Sequence, residues 1–422
     1  MIPANRLSDN PTAVARRRAA ILFVNFLFII LAYYQVKSAS RSLLIEHWGA
    51  DRFPYVWIFS ALILGVFIAF YHRLVERYNR LHVVLGSCLL FVALLILFRV
   101  MLESMSAAAT IGFYVFVDIL SVVLVEQFWS LANTINNVED GKRSYWFVGT
   151  GGLVGGVLGG ALAAALLRYT PMTTADLLLS CAALLAIVFA LNVVMARMGL
   201  YEEIKSDVSP VQVANGWRSL LQSRYLVLIS AALLCAQLAQ PVVEYQFIKS
   251  VEAAYQELDQ RTVFISTFFS VLGIVSIVVN LMITPIVHRF FGIVAGLLTQ
   301  PIVLAICSLS FIAIPSLMMA SIVKISDRGL SYSINRASKE QLYIPIDPVR
   351  TYQAKAWIDM FGYRLFKILG SALILLFTQW LPVSLNVPQL GWITVAVCAL
   401  WIAVIGLLAR EYRAVASMPV PA

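Results

Sequence analysis

The chain has 422 residues, of which 61% are hydrophobic and 13% charged, with a formal net charge of +9. Soluble domains carry about 25% charged residues, and a mean hydropathy of +0.85 leaves too little polar surface for a protein bathed in water. A soluble enzyme is therefore excluded, and a nucleic-acid binder is disfavoured because the basic residues are scattered over short loops instead of forming one patch.

A membrane pass takes about 20 mostly apolar residues. Runs of that length predict about twelve spans: 19–40, 54–73, 82–103, 109–137, 144–168, 175–198, 220–249, 261–286, 291–313, 315–341, 352–380 and 388–410. They divide into a six-helix bundle over 1–198, a cytoplasmic linker over 199–219 and a second six-helix bundle over 220–422. The first run follows Arg16-Arg17-Arg18 and is long enough to be a retained helix, not a cleaved leader. Toward its end Lys37 and Arg41 share a face, with Tyr33 and Tyr34 just before them. These cations either contact a substrate or snorkel to the interface. Tyr34 is a ring that can stack on a base or sit in the aromatic belt.

Arg77 closes the second span. The fourth carries Asp118, and its Glu126, Trp129 and Asn133 fall on one face, either lining a path or packing on a neighbouring helix. Lys142 and Arg143 precede the fifth span, where Gly149, Gly151, Gly152, Gly155, Gly156, Gly159 and Gly160 follow. With no preceding strand and no GK[ST], this run is not a phosphate loop; small residues four apart let membrane helices approach closely.

The seventh span carries Glu244 and Lys249, and Arg289 follows the eighth. The tenth carries Lys324, Asp327 and Arg328, then Arg336, Lys339 and Glu340. Lys324 and Arg328 read as a cationic stripe, and the adjacency of Asp327 and Arg328 sends them to different faces. The eleventh span holds Lys355 and Asp359, spaced to pair, and Arg364 and Lys367, two cations on one face.

Lys and Arg concentrate at one set of span ends, which places both termini in the cytoplasm of a bacterial inner-membrane protein. The halves also repeat at an offset of about 211 residues: Tyr34-Gln35-Val36-Lys37-Ser38 returns as Tyr245-Gln246-Phe247-Ile248-Lys249-Ser250 with one residue inserted. An even number of spans per half makes the repeat parallel, as in major-facilitator transporters. Cys88, Cys181, Cys235, Cys307 and Cys398 lie singly in apolar runs, and the four His are scattered, so neither a disulfide framework, a metal site nor any cofactor is expected.

Charges inside spans cost at least ~2.5 kcal/mol each. Here the cations outnumber the acids, with Glu126 and Glu244 as candidate internal partners. The pattern implies a central cavity of positive potential for a small anionic substrate. Asp118, Glu126, Glu244 and Asp327 are acids that a buried setting would let carry protons, and the sequence assigns none of them that task.

Four patches resemble the nucleotide (ATP/ADP) translocase family of plastids and intracellular bacteria, most of all its shorter relatives in free-living bacteria. They are Tyr33–Lys37 with Arg41, Glu126–Asn136 running on to Tyr145, Val243–Lys249, and Asn335–Asp347 continuing to Arg364 and Lys367. The resemblance implies a major-facilitator-like fold with alternating access. It also implies that Lys37, Arg41, Glu126, Asn133, Glu244, Lys249, Arg336, Lys339, Glu340, Lys355, Asp359, Arg364 and Lys367 line the path or its gates. The family's first helix carries acids where this chain has Ser38, Ala39 and Ser42.

The expected substrate-binding set is Tyr34, Lys37, Arg41, Glu126, Trp129, Asn133, Glu244, Lys249, Lys324, Arg328, Arg364 and Lys367. The expected gating set is Arg77, Lys142, Arg143, Arg289, Arg336, Lys339, Glu340, Lys355 and Asp359. The protein is expected to act as a monomeric transporter of a nucleotide or another phosphorylated metabolite. A flippase for an anionic lipid, and a non-transporting membrane scaffold or sensor, stand as alternatives. No nucleophile–base pair or metal constellation suggests an enzyme.

Overall fold

The computed structural model describes residues 11–201, 223–343 and 362–416, apart from positions 105, 137, 359–361 and 383, together with Leu221, Lys355 and Ile358. Every regular element among the described residues is helical. In chain order they are α1 (Pro11–Trp48), α2 (Phe53–Arg77), α3 (Arg80–Met101), α4 (Ala107–Ile135), α5 (Val138–Tyr169) and α6 (Leu177–Arg197). Later in the chain come α7 (Arg224–Ala254), α8 (Leu258–Val278), α9 (Thr284–Ala313), α10 (Leu317–Leu330), α11 (Arg336–Leu342), α12 (Tyr363–Leu375) and α13 (Gly391–Ala416). Nine of the described helical stretches are long and apolar enough to cross a membrane. Large apolar side chains such as Val66, Phe291 and Met318 stand more than 70% exposed, as lipid-facing positions do.

The local chemistry explains the boundaries. Asn79, Ser106, Ser223 and Ser316 cap α3, α4, α7 and α10 by accepting backbone N–H bonds from the first turn. The stretch from Leu258 to Ala313 is helical and mostly apolar, with His288 and Arg289 near its middle, and Gly292 at φ 78° interrupts it. Only glycine takes that conformation without strain, and the break yields the two separate spans expected there. The wide turns Val279–Ile283, Ser331–Asn335 and Leu376–Trp380 carry α8, α10 and α12 onward; such turns often mark functional sites.

The chain forms two compact units. The first comprises residues 1–48, 66–207 and 256–273, and the second comprises 49–65, 208–255 and 274–422. Within the first, α1 packs along α5 through the glycine run. A Cβ on Gly151 would stand 2.5 Å from the Phe23 carbonyl oxygen and one on Gly159 would stand 2.6 Å from that of Leu31; Gly155 meets the Leu27 carbonyl in the same way. The close helix approach expected of this run is thus present. Within the second, α7 packs on α12, where Gly370 accommodates the Leu238 carbonyl and the ring of Pro241.

Candidate functional site

In the first unit, α1 places Tyr33, Tyr34, Lys37 and Arg41 on neighbouring turns, and α8 supplies Phe269. The Lys37 ammonium lies 5.3 Å from the Tyr33 ring centroid, 4.5 Å from that of Tyr34 and 4.2 Å from that of Phe269. Tyr34 and Phe269 meet edge to face at 5.6 Å. Arg41 carries its guanidinium 5.7 Å from the Phe269 ring and 5.8 Å from Tyr114 on α4, while its Nη1 donates to the Lys37 carbonyl at 3.2 Å. Lys37 is buried at 9% exposure, so it does not snorkel into water. Ring quadrupoles hold such a cation for about 1–2 kcal/mol. The result is two cations, one turn apart, beside aromatic faces: a shelf that suits a phosphate next to a flat base.

The α4 stripe is divided in its behaviour. Glu126 is exposed. Trp129 is wedged against Phe26 and Tyr145, each 5.5 Å away. The Tyr145 hydroxyl donates to Asn133 Oδ1 at 2.8 Å. Trp129 and Asn133 therefore have packing partners inside the first unit. At the start of α5, Arg143 faces Glu139 at 3.5 Å with both groups well exposed.

In the second unit the charges are mostly paired. Lys324 on α10 donates to Glu244 on α7 with the lysine only 1% exposed. Each cation of the expected Lys324–Arg328 stripe also meets an acid: Arg328 folds back so that its Nε lies 3.6 Å from Asp327 Oδ2. Adjacency puts the two Cα–Cβ bonds on different faces, but the long guanidinium arm closes the gap. Asp327 itself is buried and accepts from Gln300 of α9. The Arg328 guanidinium also lies 5.8 Å from the Tyr332 ring. Arg364 and Lys367 are half-buried on α12, and the Ser371 hydroxyl donates to the Lys367 carbonyl at 2.8 Å.

Lys249 takes acids other than Glu244: it bonds Glu252 at 2.8 Å and Asp51 at 3.2 Å. The Tyr245 hydroxyl donates to Asp51 Oδ1 at 2.7 Å, and the Ala50 amide donates to Glu252 at 2.7 Å. Among the expected gating residues, Lys339 donates to the Tyr363 hydroxyl at 2.8 Å. Lys355 bonds Glu340 at 2.6 Å and lies 4.4 Å from the Tyr343 ring. Arg336 is exposed, and Arg289 rests on the Phe290 ring. Asp359, the expected partner of Lys355, and the side chains of Arg77 and Lys142 lie outside the described residues.

Sequence reasoning missed three contributors. Phe269 gives no signal in a run of apolar residues. Asp51 and Glu252 were passed over as loop and helix-end acids, although Glu252 follows Lys249 at the i, i+3 spacing of a helix pair. A further pair, buried Arg261 with Glu46 at 3.0 Å, joins α8 to the end of α1 within the first unit. No group of three or more His, Cys, Asp and Glu fit to hold a metal is present among the described residues.

A family model described as TLC ATP/ADP transporter matches residues 103–325 and 314–412. ADP,ATP carrier protein 1 of Chlamydia muridarum is 24% identical, covering 89% of this chain and 86% of its own. ADP,ATP carrier protein 4 of Rickettsia felis is 24% identical, covering 69% of this chain and 64% of its own. Among solved structures, a bacterial homologue of the iron transporter ferroportin in an inward-facing state superposes with a TM-score of 0.65. It covers 93% of this chain and 99% of that one, at 15% identity. At that identity the likeness speaks for the fold alone: the chain is an all-α, polytopic membrane protein of the major-facilitator-like kind.

Proposed function

The chain belongs to the TLC ATP/ADP transporter family, and from that premise we propose that it moves a nucleotide or another phosphorylated organic anion across a bacterial inner membrane by alternating access around a basic central cavity. The observation that carries this reading is the shelf of Lys37 and Arg41 against Tyr33, Tyr34 and Phe269. Two cations attract the phosphates, and the low-dielectric setting strengthens that attraction relative to water. The rings supply a stacking surface for a base. A guanidinium offers paired donors to phosphate oxygens where an ammonium acts as a point charge, so Arg41 orients what Lys37 attracts. Arg364 and Lys367 of α12 are further cations assigned to the path. Arg143, Arg289, Arg336, Lys339, Glu340 and Lys355 are assigned to the cytoplasmic gate, with both termini on that side.

Thermal unfolding of the detergent-purified protein tests this against ATP, ADP, sugar phosphates and lysophospholipids. A true ligand at 100 times its dissociation constant adds ~2.7 kcal/mol to native-state stability. A nucleotide shift that vanishes in Lys37→Ala supports the proposal. A shift with lipids only turns the reading to a flippase.

A second reading draws on the pairing in the second unit. Lys324 with Glu244, Arg328 with Asp327, and Lys249 with Asp51 and Glu252 are what a non-transporting scaffold needs, since a paired charge is tolerated in the membrane without a substrate. Stability unmoved by every anion in the panel would favour it.

A further inference from the structure

The first unit holds a half-enclosed cavity of about 320 Å³ between the starts of α1 and α5, at the small end of the range for ligand sites. α1 lines it with Arg16 and Ala19, and α5 lines it with Asp140, Arg143 and Phe147. Two guanidiniums thus reach one hollow from two helices. Phe147 stacks on Phe23 of α1, with ring centroids 4.6 Å apart and planes 15° apart. Phe23 lies one turn beyond Ala19, and Phe147 one turn beyond Arg143. The stacked rings therefore close the cavity on its membrane side.

The membrane-length stretches of the two helices begin at Val14 and Arg143. The lining residues straddle both starts, which sets the cavity at the depth of lipid head groups. Trp146, beside Phe147, is 71% exposed, as an aromatic side chain at that boundary is. Arg143 has Glu139 at 3.5 Å, but with side chains 75% and 82% exposed the pair is screened and weak. A phosphodiester placed between Arg16 and Arg143 gives each guanidinium a charge-assisted acceptor. The Asp140 carboxylate, with several lone pairs, can accept hydroxyl hydrogens from the head group beyond the phosphate.

We propose that this cavity binds the head group of an anionic glycerophospholipid in the leaflet that the N-terminus faces, with Arg16 and Arg143 on its phosphate and Asp140 on its hydroxyls. Basic hollows between membrane helices at this level suit such head groups. A soluble phosphate meets the same two arginines, but only a lipid also covers the exposed faces of Phe147 and Trp146 beside them. Lipid is therefore the occupant that uses the whole site. Bound there, one phosphate ties the start of α1 to the start of α5. That tie lies at the end of the glycine seam which holds the helix of Lys37 and Arg41 against α5. The proposal holds whatever the chain transports.

Thermal unfolding of the detergent-purified protein, with lipid added in mixed micelles, tests the site. Phosphatidylglycerol should raise the melting temperature in a saturable way, and phosphatidylcholine, whose head group has no net charge, should do so far less. Removing either arginine should weaken phosphatidylglycerol about fivefold, the equivalent of ~1 kcal/mol per basic residue at an anionic surface. Arg16→Ala combined with Arg143→Ala should then lose roughly thirtyfold. Arg197→Ala, in the last turn of α6 and outside the cavity lining, should leave the lipid affinity unchanged. If the double variant does not yield a monodisperse protein, Ala19→Phe, which places a ring in the cavity and keeps both arginines, should weaken the lipid instead. Unchanged affinity in these variants, or phosphatidylcholine as effective as phosphatidylglycerol, overturns the proposal. So does an arginine-dependent shift with inorganic phosphate or glycerol phosphate at the same concentration, which would make the ligand a soluble anion.

Discussion

Lys37 and Lys249 occupy equivalent places in the two halves of the sequence, each following a Tyr-Gln pair near the end of its half's first helix, yet their surroundings differ. Lys37 is enclosed by three aromatic rings; Lys249 sits between two carboxylates. The sequence places a lysine in each of these positions, and other elements decide its surroundings. Phe269 from α8 faces the first lysine, and Asp51 from the turn before α2 faces the second. A cation held by ring faces can be drawn off by an incoming anion, because the quadrupole attraction is weak next to a charge–charge contact. A cation between carboxylates is already compensated. The same residue type thus meets ring faces in one unit and carboxylates in the other, and under the proposed function it is the first that contacts the substrate.

Four experiments press on this contrast. The largest effect belongs to the compensated side. Glu244→Ala leaves Lys324 buried without its partner and should destabilise the protein by about 3–5 kcal/mol. A joint replacement, Glu244→Leu with Lys324→Met, should recover most of that loss in a thermal unfolding series; failure to recover would mean the site is not held as a pair. Next, Lys37→Ala should cost little stability but remove the whole nucleotide-dependent stabilisation, ~2.7 kcal/mol at saturation, as read by ligand-dependent melting.

A transplant sharpens the comparison further. Phe269→Glu gives Lys37 a carboxylate like those of Lys249, and nucleotide affinity should fall by about tenfold or more, equivalent to ~1.4 kcal/mol, although Lys37 is still present. Equal affinity in calorimetric titration would show that the aromatic shell is irrelevant to binding. The smallest effect is expected at Lys249. Asp51 is 60% exposed, so Lys249→Ala should cost under about 1 kcal/mol. Added salt should shrink the difference between variant and wild type, and a difference that holds at high salt would contradict a screened, partly exposed pair.

The fold was largely legible because the bilayer makes span length and hydropathy direct physical requirements. The division of this stretch into two spans was legible, since His288 and Arg289 interrupt it, although the break itself falls at Gly292, just inside the span expected over 291–313. The site was legible in part. Residue type and helical spacing placed Lys37 with Arg41 and put Glu244 forward as a partner for a cation. They did not give Phe269, since one phenylalanine among many has no mark of its own. They misjudged Arg328, because spacing rules describe the direction in which a side chain leaves the backbone and not where a long flexible arm ends. Asp51 was not foreseen beside Lys249 for a related reason: it lies about 200 residues away, and local periodicity has no access to such a contact.

The seam between α1 and α5 has a bearing on how such a protein diversifies. Gly151, Gly155 and Gly159 of α5 meet carbonyl oxygens of Phe23, Leu27 and Leu31, which every residue possesses, whereas Gly152 and Gly156 face the rings of Phe26 and Tyr34. The helix bearing Lys37 and Arg41 can therefore drift in sequence at positions away from those rings while its register against α5 stays fixed. Divergence in what is recognised then needs no compensating change in the scaffold, and it would be written on α1 while the glycines stay in place.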